Sequence, residues 1–556
     1  MLFILSLIIM ANSGGPTPYQ ATENADLVVV NAHVYTMNDA QRRAEAFAVH
    51  DGRFIFVGTS EETTARFPNA PRVDAGARTI IPGLIDAHAH LMGLGMSRLQ
   101  ADLTGARSKE EVIERLRIFE RNLPDDAWLT GRGWDQNDWP ETQFPTRADL
   151  DDAFPDRPVW LVRVDGHAAW SNTAALEHVD AARIRESADP HGGRIVRGED
   201  GRPTGIFIDA AMELVARHIP ALSLEERQRA LRLALEETAQ YGLTGVHDAG
   251  VSLDDIQLFQ DAIDEDRFDL RLYAMIGGEG STFDHFCANG PINDYGGRLT
   301  VRSVKYFIDG ALGSRGAALL DDYADDPHNR GLLMYEPEAY RREVGRAFEC
   351  GFQVNTHAIG DRGARLVLDT YEQLMRQTPA HAGRHRIEHA QVVSLDDIRR
   401  FRELSVIASM QPIHATSDMY WAEARLGSDR IHGAYAWRHF LNGGVRVAFG
   451  SDFPVEPANP LLGFYAAVTR QDVSGWPVGG WYADQRVTRE EALRGFTLDA
   501  AYAAFQEDDL GSIEPGKYAD FVVLDRDILT VEADQILETS VVATYLGGKA
   551  IFEKPQ

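Results

Sequence analysis

Asp86-Ala87-His88-Ala89-His90 closes an apolar run, and residues two apart in an extended strand face the same way, so His88 and His90 converge on one point. His357 ends the run FQVNTH, His389 ends HRIEH, and Asp452 follows VRVAFGS. Imidazole and carboxylate oxygen are ligands for divalent cations, Zn²⁺ above all, while Mn, Fe and Co accept the same donors. A single strand histidine is more often a hydrogen-bonded core residue than a ligand. Several such residues at the ends of separate apolar runs point instead to a metal site. The chain has only two cysteines, Cys287 and Cys350, so neither a disulfide framework nor a CxxC zinc site is expected. A metal here is held by His and carboxylates.

A second oddity lies in RSVKYFIDGALGSRG. Val301, Val304, Tyr306, Phe307 and Ile308 read as a buried strand, with Lys305 in its middle. The sequence has five lysines against fifty arginines, so lysine is not its default cation. A lysine is almost never buried unpaired. Phe307 and Asp309 share its face, and an ion pair with Asp309 or another buried acid is one explanation.

These residues need a frame to bring them together. Eight short apolar segments can be counted: GLIDAHAH, LTGVHDAG, LRLYAMI, VRSVKYFIDG, FQVNTHAIGD, HRIEHAQ, SVIASMQPI and VRVAFGSDFP. Helical spacing with a glycine stop appears between them in LEERQRALRLALEETAQYG and AYRREVGRAFECG. The alternation predicts an α/β fold, a (β/α)₈ TIM barrel over residues 83–504, whose site lies at the C-terminal ends of its strands. The interval of about 91–224 is too long for one βα unit and reads as an inserted α/β cap subdomain over the mouth. Strand-rich ends, 25–82 and 505–556, are expected to pair into one small β-sandwich domain.

PGLIDAHAHL, SVKYFIDGALGSRGA, NTHAIGDRG, RIEHAQ and GSDFPVEPANPL together resemble the amidohydrolase superfamily, in particular its third amidohydrolase family, whose activities include N-substituted formamide deformylase. The resemblance runs from about Leu27 to the C-terminus. It implies a binuclear centre with two divalent ions, most simply Zn, in which Lys305 carries CO₂ as a carbamate that bridges them. A neutral buried amine can attack CO₂, whereas a guanidinium stays charged and cannot. By the same resemblance, His88, His90 and Asp452 hold one metal, His357 and His389 the other. A water shared between the ions, its pKa lowered to about 7, is then the expected nucleophile, with Asp452 the catalytic proton carrier.

Other residues are candidates for substrate contact. Trp134, Asp135 and Trp139 in GRGWDQNDWPE could wall an apolar pocket, or pack within the insertion. His167 could bind a substrate carbonyl or carboxylate, or stand at a helix entry. Arg315 could meet an anionic group, or pair with Asp309 or Asp321. Asp361 could orient His357 or cap the next helix. Glu388 alternates away from His389, which suggests a structural role. His33, His50 and His247 have no ligand spacing.

The expected activity is hydrolysis of a C–N bond in a small-molecule amide, N-formyl or N-acyl. Ester, lactone or cyclic-amide hydrolysis and deamination use the same site, because specificity lies in the loops. A non-catalytic binding protein on this scaffold is the alternative of another class, opposed by the full ligand set. GxSxG and GxxxxGK[ST] are both absent. A net charge of −29 without a basic block argues against nucleic acid. LFILSLIIMA (Leu2 to Ala11) reads as a signal peptide within 1–24, hence periplasmic or secreted. It lacks a charged start, which leaves a cytoplasmic protein as the alternative, and it is too short for a stable membrane span. The surface of the barrel and β domain leaves room for a homodimer.

Overall fold

The computed structural model describes residues 24–121, 123–124, 127–179, 184, 188–378 and 383–555. The apolar run Leu2 to Ala11, expected as a signal peptide, lies outside these residues. Among the described residues, no helix is long and apolar enough to cross a membrane.

Eight parallel strands make a nearly closed barrel, and they are the eight expected from the sequence. They are β1 (Leu84–Ala89), β2 (Leu243–Val251), β3 (Arg271–Gly277), β4 (Leu299–Phe307), β5 (Gln353–Ala358), β6 (Arg386–His389), β7 (Ile407–Met410) and β8 (Val447–Phe449). They pair in chain order from β1 to β8. Nearly every strand residue is buried, as expected where helices cover one face and side chains fill the other. The predicted helices form at Leu224–Gln240 and Pro337–Glu349, followed by Gly242 and Gly351 in the left-handed region, at φ 81° and 78°. Ser223 and Glu226 cap the first of these reciprocally.

β1 and β8 share no ladder, and side chains close that seam. Asp86 accepts the backbone N–H and hydroxyl of Ser451, at 3.0 and 2.6 Å, and the Asp452 N–H donates to the His88 carbonyl at 2.7 Å. Gly450 permits the approach, since a Cβ there would lie 2.5 Å from Asp86 Oδ1.

The chain ends do meet. Phe521–Leu524 pairs antiparallel with Thr79–Pro82 inside a six-stranded sheet, and a four-stranded sheet containing Leu27–Val30 shares its core through Val29, Phe47, Phe54 and Phe521. The insertion carries its own six-stranded sheet, running from Ala101–Asp102 to Pro203–Asp209 and Gly193–Arg197, packed on a core that includes Trp134, Trp139 and Trp170.

The two cysteines, too few for a disulfide framework, are joined in a single bridge that no spacing in the sequence signals. Cys287 on helix Gly280–Asn289 and Cys350 at the end of Pro337–Glu349 lie 5.3 Å apart at Cα, because these two helices flank β4. The bridge closes a separation of 63 residues. Loop-closure entropy for that length is worth about 4 kcal/mol. Replacing both cysteines with serine is therefore expected to lower the melting temperature in non-reducing buffer and to abolish its sensitivity to dithiothreitol. A parent that melts identically with and without reductant would deny the bridge a stabilising role.

Candidate metal centre and substrate cavity

The barrel brings His88, His90, Lys305, His357, His389 and Asp452 to its C-terminal mouth. Each of three imidazoles has its Nδ1 engaged from outside. His88 Nδ1 donates to Glu388 Oε2 at 2.5 Å, His90 Nδ1 to the Ala249 carbonyl at 2.9 Å, and His389 Nδ1 to Gln411 Oε1 at 2.8 Å. That turns the three Nε2 lone pairs toward one point, with His88 Nε2 3.1 Å from Lys305 Nζ, the arrangement that second-shell acceptors impose on metal-binding histidines. Donor atoms of His88, His389 and Asp452 lie within 4.8 Å of one another.

Two details test whether a metal fits. Asp452 Oδ1 stands 3.1 Å from His90 Nε2 and 3.6 Å from His88 Nε2, yet is buried without a hydrogen bond. With their protons on Nδ1, neutral rings set lone pair against lone pair there, and a cation is the natural partner for both. His357 Nε2 is likewise buried without a hydrogen bond, 3.6 Å from Asp309 Oδ1, and its ring lies 4.6 Å from that of His389. The donor set therefore suits a divalent metal. Burial, reinforced by Lys305, lowers the pKa of His88 to about 4, and burial with neighbouring histidines holds His357 and His389 well below the usual imidazole range. Rings that stay neutral keep their lone pairs for a metal.

Asp452 has a left-handed backbone, φ 64°, just past β8, which turns its carboxylate inward. Its Oδ2 is 3.4 Å from His414 Nε2, and His414 Nδ1 is 3.1 Å from Glu456 Oε1. Burial opposes the charge on His414, but Asp452 and Glu456 win and raise it to about 10. Burial likewise opposes ionisation of Asp452, and the charged His414 holds its pKa well below the usual carboxylate range.

Lys305 is 3% exposed, with Nζ 3.1 Å from His88 Nε2. The suggested pairing with Asp309 does not occur. Asp309 is saturated by the backbone N–H groups of Ile359, Gly360 and Ala318 at 3.0, 2.8 and 2.8 Å. Among the described residues no carboxylate oxygen comes within 4.0 Å of Lys305 Nζ, and burial lowers its pKa to about 8.

A cavity of about 470 Å³ opens over these residues, lined from the barrel by His357, His389, His414 and Asp452 and from the cap by Arg132, Arg163, Asp165 and His167. Of the expected substrate contacts, His167 reaches it, with Nδ1 2.7 Å from the buried Asp209 Oδ1. Asp135 also lines it but is ion-paired to Arg163, so its charge is spent inside the cap. Trp134 does not reach the cavity. It is fully buried in the cap core, and its indole N–H donates to the Leu161 carbonyl at 2.9 Å. The cause is Gly133, at φ 110°, where the ladder slips one residue and turns Trp134 away from the face that Arg132 keeps. Trp139 packs in the same core. Arg315 is also absent from the lining, since its guanidinium is held 2.9 Å from Asp325, neither of the acids expected. Asp361 opens its helix and accepts the Leu320 N–H, away from His357.

Glu388 corrects the alternation argument. It points into the barrel between His88 and Arg386, 2.7 Å from the Arg386 Nε, and carries His88. His389 escapes alternation because its backbone turns left-handed, φ 71°, followed by Ala390 at 41°. Both side chains can then serve one mouth. Glu388→Gln is expected to weaken metal affinity about 10- to 100-fold, the usual cost of losing such a support. Competition against a chelator measures it, and an unchanged affinity would remove Glu388 from the site. His414, Glu456, Asp209, Arg132 and Arg163 had no sequence signal, since they lie on helices, loops and cap strands where spacing does not report direction.

The amidohydrolase family profile matches residues 72–552. The chain is 35% identical over 549 residues to Protein LONG AFTER FAR-RED 3 of Arabidopsis thaliana, covering 95% of this chain and 92% of that one. It is 30% identical over 557 residues to N-substituted formamide deformylase of Arthrobacter pascens, covering 96% and 99%. An uncharacterized metal-dependent hydrolase from Pyrococcus horikoshii OT3 superposes with a TM-score of 0.74 at 30% identity, covering 91% of this chain and 99% of that one.

Proposed function

The chain belongs to the amidohydrolase family, and on that premise we propose that it hydrolyses the C–N bond of a small N-formyl or N-acyl amide. The observation that carries the reading is Asp452 Oδ1 facing the His90 and His88 Nε2 atoms at 3.1 and 3.6 Å without a hydrogen bond. The full-length similarity to N-substituted formamide deformylase supports amide over ester. His88, His90 and Asp452 would hold one divalent ion and His357 with His389 a second, with Lys305 between them as a carbamate. Two such ions, most simply zinc, supply Lewis-acid polarisation of the carbonyl and acidification of water.

The chain's own residues do the rest. Asp452 takes one proton from the attacking water and returns it to the departing nitrogen, so that the C–O bond forms, the C–N bond breaks, and an acid and an amine leave. His414, braced by Glu456, holds Asp452 Oδ2 and keeps the carboxylate aimed while it carries that proton. His167, fixed by Asp209, lies with its ring 5.2 Å from that of His357, where it would orient the substrate. Arg132, Arg163, Asp165 and His167 of the insertion line the cavity beside the barrel residues, which would limit bulk water there.

Metal analysis by mass spectrometry, run beside an assay for formate and amine release from N-substituted formamides, tests this reading. Two ions per chain and turnover of at least one formamide or N-acyl amine are expected. A metal-loaded protein inert on both classes of amide would overturn it.

A further inference from the structure

The cavity holds three arginines, and two are already spoken for. Arg98 meets Glu237 at 2.8 and 2.5 Å, and the buried Arg163 pairs with Asp135 and Asp165. Arg132 is different. Among the described residues no carboxylate oxygen lies within 4.0 Å of it, Nη2 donates only to the Val164 carbonyl at 3.0 Å, and Nε is buried without a partner. A guanidinium cannot escape this by losing its proton. Arg132 is half-buried, and an unpaired charge partly withdrawn from bulk water favours a counter-ion.

The surroundings are built to leave that charge open. Arg132 sits on the cap strand Leu129–Trp134, directed at the cavity while Trp134 turns into the cap core. Gly166, at φ 75°, passes beside it; a Cβ there would come within 3.4 Å of Nη2 and 3.6 Å of Nη1. The next residue is His167, which lines the same cavity. The carboxylates that act on Arg132, Asp452 and Asp165, are committed elsewhere, the first to the imidazoles and the second to Arg163 at 2.5 Å.

We propose that Arg132 is the specificity-determining residue for an anionic group of the substrate, so that the amide cleaved here also carries a carboxylate. The reaction itself rests on the amide-hydrolase reading above; the anion site rests on Arg132. A carboxylate matches the forked N–H geometry of a guanidinium and accepts two parallel bonds. A doubly charged phosphate fits less well, because Asp138, Asp418 and Glu456 line the same cavity and repel extra negative charge.

A matched pair of amides tests it: racemic N-formylphenylalanine against N-formylphenethylamine, identical but for the carboxylate. The metal-loaded parent is expected to favour the carboxylated amide by about 30-fold or more in kcat/KM, the scale of a desolvated charge pair. Arg132→Gln should cut that ratio at least tenfold, and Arg132→Lys should retain part of it. A parent that handles both equally, or a ratio that survives Arg132→Gln in a protein with parental circular dichroism, overturns the proposal. Should Arg132→Gln not fold, the parental ratio and Arg132→Lys decide. Should neither amide be cleaved, calorimetric titration with N-formylphenylalanine separates the two ideas. Binding to the parent that weakens tenfold or more in Arg132→Gln supports the anion site although the hydrolytic reading has failed. Equal binding, or none to the parent, overturns the anion site as well.

Discussion

Asp452→Asn is expected to lower kcat/KM by about 10⁴-fold. General-base loss alone costs about 10²- to 10⁴-fold, and this residue is also a candidate metal donor. The variant should bind less metal, by mass spectrometry, and should melt lower than the parent in chelator at neutral pH, because the carboxylate that pairs with the charged His414 is gone. Retention of more than about a tenth of parental kcat/KM would remove Asp452 from the role of proton carrier.

Lys305→Met carries the second large effect. The substitution keeps most of the side-chain volume and deletes the charge. Turnover is expected to fall about 10³-fold, and on the proposed carbamate reading metal content falls from two ions towards one, because no anionic bridge can form. The metal-free variant should nevertheless melt higher than the parent at neutral pH. Burial lowers the Lys305 pKa from 10.5 to about 8, and each unit is worth about 1.4 kcal/mol. The folded chain thus tolerates the ammonium at a penalty of about 3 kcal/mol, fully present below pH 8. The penalty fades as pH rises from about 8 to about 10.5, the window where the unfolded chain still holds the proton that the folded chain has released. Parent stability should therefore rise across that window relative to Lys305→Met. A variant that melts lower than the parent in chelator at pH 7 would mean that the ammonium stabilises the fold, and the carbamate reading would lose its physical motive.

The mouth of the barrel concentrates lone pairs and a buried amine in a way that a metal-free core does not favour. Functional sites commonly carry such local cost. The seam between β1 and β8 adds to it: Asp86 and Ser451 must join there, and Gly450 must lack a side chain, for Asp452 to arrive beside His88.

By itself the sequence determined the eight strands and the convergence of His88, His90, Lys305, His357, His389 and Asp452. The reason is periodicity. Alternation within a strand sets facing, a parallel barrel gathers every strand's C-terminal end on one side, and short apolar runs mark both. Tertiary structure alone decided what departs from that periodicity. A slipped ladder at Gly133 buries Trp134 and leaves Arg132 on the cavity; a left-handed turn at His389 lets Glu388 and His389 both serve the centre. Arg315 took Asp325 as its partner, a choice among several nearby acids that spacing does not rank. His414 and Asp209 reach the site from a helix after β7 and from the cap, and Cys287 meets Cys350 because two helices flank β4. Contacts between elements distant in sequence are set by how the elements pack, and no local pattern encodes them.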